Sequence, residues 1–271
     1  MIEYRYRETR NNETASHMRL YFQRELPMWN VTYHVKPLDV PWLPYAMRVM
    51  SFKCNPSFQK EQGGFAVASM SNVPAFKAEV NMPPEDQLRS WVLIYYEEDK
   101  KIVAPKYWKE IGRQDYTSFK SRMKGEDQVK HTSAELISGA TSPEDKLSAL
   151  EAFCRMKIRN FDSSAFHLTA DERKSTKENH SPGDTLKQKA GSDMDVNLLF
   201  AAMANAAGFE ARIARVSDRG DTFFSPARPS AYFLHDFVVA VKLDDKWKFF
   251  DPSTPYLDRG MLRWQAGARV P

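Results

Sequence analysis

The chain has 271 residues, 42% of them hydrophobic and 27% charged, with a net charge of +4. That length supports one large domain or two modest ones around a sizeable core, which excludes a disordered chain. The small basic excess is spread without a lysine or arginine block, so nucleic acid is not an expected partner, and no apolar run reaches the length of a membrane span.

The opening "MIEYRYRE" alternates Ile2, Tyr4 and Tyr6 with Glu3, Arg5 and Arg7. This predicts a strand and lacks the apolar core of a signal peptide. A strand at residue 2 with nothing before it predicts a chain that begins inside a domain. "WNVTYHVK" alternates in the same way through Trp29, Val31, Tyr33 and Val35, and "SWVLIYYEED" (90–99) is the strongest later strand. "PLDVPWLP" and "NMPPED" break the chain between them. Residues 1–104 therefore read as an antiparallel β-sandwich domain, an incomplete one.

From about residue 105 the hydrophobic period lengthens, and Trp108, Ile111, Phe119 and Met123 fit a helix within a connector over 105–134. A second helix starts at Ser142, a candidate N-cap, with Pro143 at the first helical position and Glu144 and Asp145 in the first turn. Its apolar stripe is Leu147, Leu150, Cys154 and Ile158, which makes Cys154 a core thiol. Cys54 and Cys154 could pair or stay free, and fix no redox compartment.

Residues 170–191 are polar, contain Pro182 and Gly183, and predict a long exposed loop. "GSDMDVNLLFAAMANAAGF" (191–209) then predicts a helix with Met194, Val196, Leu199, Phe200, Met203 and Ala207 on one side and Gly208 as its stop. Strands are predicted at 210–217, 235–243 and 246–253.

Three stretches of residues 135–271 stand in an informative order. A helix opens with Gly-Ser-Asp-Met-Asp (191–195), His235 opens a strand, and the next strand ends in Phe250-Asp251-Pro252-Ser253. With "AAGFEARIARV" between the first two, this order resembles the transglutaminase-like superfamily, a branch of the papain-like cysteine-nucleophile fold. The resemblance implies a papain-like α+β domain, with His235 as the base and Asp251 orienting it. In such a triad a thiolate gains from the helix N-terminus and an imidazole takes its proton.

Asp193 stands where the resemblance places the cysteine. A carboxylate is a weaker nucleophile, and its attack on an amide would give a labile anhydride. The position suits an aspartate as an N-cap, which predicts a degenerate site in which Asp193, His235 and Asp251 are a vestigial triad. Asp195 is expected to help fix the helix start or an adjacent loop. Trp247 and Trp264 are aromatic candidates for a groove beside His235, against ordinary core packing. Asp236 is expected to point to the opposite face from His235. His17, His34, His131, His167 and His180 have no companion at metal-ligand spacing, so no metal and no cofactor is expected.

"IEYRYR", "YFQRELP" and "NVPAFKAEVNMPPEDQLRSWVLIYY" resemble an uncharacterised β-sandwich domain that precedes transglutaminase-like domains in exported bacterial proteins. That resemblance implies a periplasmic or envelope-associated parent with a signal peptide and further C-terminal β-structure; "GMLRWQ" (260–265) resembles the same group. Three functions follow. One is a non-catalytic protein binding a peptide, glycan or protein partner through its cleft. Another is a hydrolase or metal-dependent enzyme using Asp193, His235 and Asp251. The third is a structural module of an envelope assembly.

Overall fold

The computed structural model describes residues 2–8, 17–37, 45–98, 103–124, 126–163, 169, 172, 177–258 and 260–266. Most of the proline break at 37–44, His167 and much of the expected loop after residue 170 lie outside them. The chain divides into two compact units, Met1–Lys101 and Ile102–Pro271. No described helix is long and apolar enough to cross a membrane.

The first unit contains β1 (His17–Tyr21), β2 (Met28–Val35), β3 (Tyr45–Phe52), β4 (Ser57–Lys60), β5 (Ala66–Val73), α1 (Glu85–Leu88) and β6 (Trp91–Glu98). Two antiparallel sheets form, in the orders β1-β6-β3 and β2-β5-β4. Leu20, Val92 and Ile94 of one pack with Val31, Ala68 and Val73 of the other, so period-two sequence becomes a sandwich core. Trp91 is fully buried, stacked on Phe52, and its indole N–H donates to the Asp86 carbonyl at 2.7 Å. Residues 2–8 do not form the expected strand. They are exposed, with the Tyr4 and Tyr6 rings 6.3 Å apart. Alternation makes a strand only where a neighbouring edge accepts its ladder, and no described strand pairs with this segment.

The second unit runs α2 (Ala104–Arg122), α3 (Asp127–Ile137), α4 (Pro143–Lys157), β7 (Arg159–Asn160), α5 (Pro182–Gln188), β8 (Ala190–Gly191), α6 (Asp193–Ala206), β9 (Glu210–Val216), β10 (Asp236–Leu243) and β11 (Lys246–Phe250). Together the two units give the α+β class. The stretch expected as a connector supplies Phe119, Met123 and Val129 to this unit's core. Every residue of α6 from Val196 to Ala204 is buried, not one stripe only. The reason is its surroundings: α3, α4, α5 and the β9–β10 sheet all pack on it. The antiparallel sheet β11-β10-β9 turns between β10 and β11 through Asp244 and Asp245, both at positive φ, the backbone of a tight two-residue hairpin.

Helix starts follow the local chemistry. The Ser142 hydroxyl accepts from the Asp145 amide at 3.1 Å, with Pro143 behind it. "SPGD" (181–184) repeats this device, Ser181 accepting from the Asp184 amide at 3.2 Å. Part of the expected exposed loop is therefore a helix, with Pro182, Thr185 and Leu186 buried.

On α4, Glu151 and Arg155 form a buried ion pair at 2.6 Å, and the same guanidinium donates to the Leu257 carbonyl at 2.6 Å. This ties α4 to the turn that follows β11. Arg155→Ala is expected to destabilise the protein by about 3–5 kcal/mol in urea denaturation, because a buried carboxylate loses its counter-charge. Replacing the pair together by Glu151→Leu and Arg155→Met is expected to recover most of that loss.

Candidate functional site

Three chain segments converge at the N-terminus of α6. The helix is capped by Ser192, not Asp193 as its position suggested. The Ser192 hydroxyl accepts from the Asp195 amide at 3.2 Å, and the Ser192 amide donates to the Asp195 carboxylate at 3.0 Å. The reciprocal pair satisfies two otherwise orphaned donors. Asp195 thus fixes the helix start. Gly191 permits it, since a Cβ there would lie 2.6 Å from that of Asp195.

With the cap supplied by its neighbour, Asp193 is the first helical residue. Its carboxylate accepts from the Asn160 side-chain amide at 2.5 Å, and its backbone amide donates to the Asp162 carboxylate at 2.9 Å. The other Asn160 amide hydrogen goes to the Ser253 carbonyl at 2.7 Å, and the Asn160 oxygen accepts from the Asp162 amide at 3.0 Å. Asn160, missed by sequence reasoning, joins β7 to both α6 and the turn after β11. Nothing in the local pattern around "RNFD" marks it.

Asp251 is completely buried and accepts from the hydroxyls of Ser253 at 2.8 Å and Thr254 at 2.9 Å. Asp193 and Asp251 are brought together around a group that sequence reasoning also missed, the guanidinium of Arg263. It lies 3.9 Å from Asp193, 3.6 Å from Asp251 and 3.4 Å from Asp236.

His235 does not join them. It is exposed, immediately precedes β10, and among the described residues makes no hydrogen bond to Asp193 or Asp251. Asp236, expected to face away, is the residue at this strand end that reaches Arg263. His235 lies outside β10, so strand alternation does not separate the two side chains, whose ligand atoms lie within 4.8 Å of each other.

Trp247 is paired with Lys242, six residues of strand from Asp236, about 20 Å away. Its ring sits under the Arg212 guanidinium at 5.0 Å, so it does not line this site. Trp264, exposed, lies next to Arg263 in sequence and carries the Arg219 guanidinium at 4.6 Å.

Among the described residues, the group whose donor atoms could surround a divalent ion is Asp218, His235 and Asp236, with those atoms within 4.8 Å of one another. Asp193 and Asp251 are not in it. Cys154 is fully buried, and burial with the nearby Glu151 carboxylate pushes its thiol well above the ordinary range. Cys54 is also free, and its thiol donates to the Trp91 carbonyl at 3.2 Å.

Burial pushes the Asp193 carboxyl above its ordinary value of 3.8; the Asn160 hydrogen bond and Arg263 oppose this, and Asp162 and Asp251 reinforce it. A raised folded-state pKa favours the folded protein while the group is protonated. That contribution is complete below pH 3.8 and is lost as pH rises through the folded value. The stability of the wild type relative to Asp193→Asn is therefore expected to fall across that window, measured by urea denaturation from pH 3 to 7. A difference that does not vary with pH would contradict the burial.

Residues 130–252 match the transglutaminase-like superfamily. Among solved structures, the chain is similar to a candidate protease from Parabacteroides distasonis, at 13% identity and TM-score 0.51 over 86% of this chain. The match spans 43% of that protein's length. It is also similar to a candidate cysteine protease from Cytophaga hutchinsonii, at 14% identity and TM-score 0.38 over 88% of this chain and 75% of that one. A third similar structure is described as a TGase, at 11% identity and TM-score 0.33 over 82% of this chain and 48% of that one. At such identities the first likeness speaks for the fold alone. No curated protein matches.

Proposed function

We propose that this protein, whose residues 130–252 match the transglutaminase-like superfamily, is a non-catalytic member of it that binds a peptide ligand at this site. The observation that carries this reading is the state of Asp193. A nucleophile at a helix N-terminus needs a base within reach and nearby N–H donors free to hold the resulting oxyanion. The Asp193 carboxylate is hydrogen-bonded by Asn160 and lies near Arg263. Two donors beside it are also taken: the Asp193 amide by Asp162, and the Asn160 amide by Asp193 and Ser253. His235, the base implied by the family resemblance, is outside hydrogen-bond reach of both carboxylates. The same groups gather carboxylates around Arg263, with Asp251 completely buried among them.

The substitution Asp193→Cys separates binding from latent catalysis. A thiol there sits at the positive end of α6 and near Arg263, which favours thiolate. The variant is expected to react with iodoacetamide at pH 7 much faster than the buried Cys154 of the wild type. It is expected to show no turnover of amide or ester substrates. Turnover in the variant would mean that His235 reaches position 193 and that only the nucleophile is missing. Turnover in the wild type, insensitive to alkylation, would overturn the non-catalytic reading itself.

A further inference from the structure

The sheet β11-β10-β9 ends on β9, which pairs with β10 alone among the described strands. In an antiparallel ladder alternate residues turn both backbone groups toward the partner, and those between turn theirs away. Ala211 is of the second kind: its amide and carbonyl meet the Asn205 side chain, each at 3.2 Å. Ile213 and Arg215 share its direction, and no described residue bonds their backbone groups from that side. Asn205 thus does for Ala211 what a fourth strand would do, and the two places beyond it stay open. A free strand edge is a template for another chain unless something covers it.

A cavity of about 290 Å³ lies along this edge. Its lining includes four consecutive residues of β9, 212–215. Consecutive strand side chains point to opposite faces, so a cavity that meets all four lies at the edge and not on a face. Its other wall is one side of α2, with Trp108, Asp115 and Phe119 at helical spacing. Gly112 stands in that wall. A Cβ there would meet nothing within 4 Å, so no close packing calls for a glycine, which costs stability in a helix interior. What the missing side chain leaves is the width of the groove. Pockets for whole ligands run from about 300 to 1,000 Å³, so this one suits a single large side chain.

Charge is added at the rim. Tyr116 is exposed, with the Arg212 guanidinium 4.9 Å and the Lys120 ammonium 5.4 Å from its ring centre. Arg212 is paired with Glu210, and Arg215 with Asp115. Among the described residues Lys120 has no carboxylate partner, so the rim holds one cation in excess.

We propose that the groove between α2 and the free edge of β9 binds an extended peptide. The peptide pairs with Ile213 and Arg215 as a fourth strand, seats an apolar side chain in the cavity and sets an acidic one beside Lys120. Main-chain hydrogen bonds then give affinity, and the cavity and rim give specificity. None of Asp193, Asp236 and Asp251 lines this groove, so the inference goes beyond the function proposed above and does not depend on it.

The test is selection of a random peptide library displayed on phage against the wild-type chain, followed by anisotropy titration of the synthetic peptide most enriched. Enriched peptides are expected to share a bulky apolar residue with an acidic one close by. Gly112→Leu, which fills the groove from α2, is expected to weaken the peptide at least about tenfold. Lys120→Glu is expected to weaken it about threefold at low salt. Methylating the peptide's backbone nitrogens one at a time is expected to cost about fivefold at every second position and little between them, because only alternate amides bond the edge. Failure to enrich any peptide would overturn the proposal, as would equal affinity of wild type and Gly112→Leu, or methylation that costs nothing at any position. Indole binding as tightly as the peptide would make the cavity a small-molecule site. A wild-type dimer that Gly112→Leu splits would make the edge an interface between copies; either result overturns the peptide assignment. Should Gly112→Leu fail to fold by circular dichroism, hydrogen exchange of wild type decides: the Ile213 and Arg215 amides are expected to slow on peptide binding, and unchanged exchange there overturns the pairing.

Discussion

The site hangs on one buried amide. Asn160 donates to the Asp193 carboxylate and to the Ser253 carbonyl, and its own oxygen accepts from Asp162. Three segments distant in sequence are thereby set against one another: β7, the first turn of α6 and the turn that follows β11. A buried side-chain amide left unpaired costs more than its bonds gain, so the three segments hold this arrangement together or not at all. Glu151 and Arg155 act behind it, with Arg155 bonded to the Leu257 carbonyl.

Electrostatics gives the site its character. Asp162, Asp193, Asp236 and Asp251 gather near a helix N-terminus, where backbone partial charges favour anions. A helix end of this kind would serve a thiolate, and here it serves carboxylates. The fully buried Asp251 shows how far this is carried, since its two hydroxyl donors satisfy oxygens but not charge. Arg263 answers the charge from a segment that follows the last strand, at distances that leave its donors poorly used. Two N–H donors at this helix end, the Asp193 amide and the Asn160 side chain, are bonded to carboxylates of the chain itself.

Much of the fold is legible in the chain because its signals are local. Strand periodicity marks β2, β6, β9, β10 and β11. Serine followed by proline and an acidic residue starts α4, and the same device at Ser181 starts α5, where a polar surrounding sequence obscures it. Aspartate at positions 193 and 251 is identifiable by its place at a helix start and a strand end. The alternation of residues 2–8 is equally plain but makes no strand, because a strand is a property of two segments and periodicity describes only one.

What the sequence determines by itself is thus the strands whose alternation finds a partner, the helix starts marked by serine, proline and an acidic residue, and the arrival of Asp193 and Asp251 at one end of a helix and a sheet. Tertiary structure alone decides that Asp236 and not His235 reaches Arg263, that the Asp193 carboxylate meets Asn160, and that Arg263 enters from a segment seventy residues beyond Asp193 in the numbering. The physical reason is range. Propensity, capping and alternation act over a few residues. The partner of a buried charge is chosen by whatever the packed core brings within a few ångströms, and no periodicity in the chain records that choice.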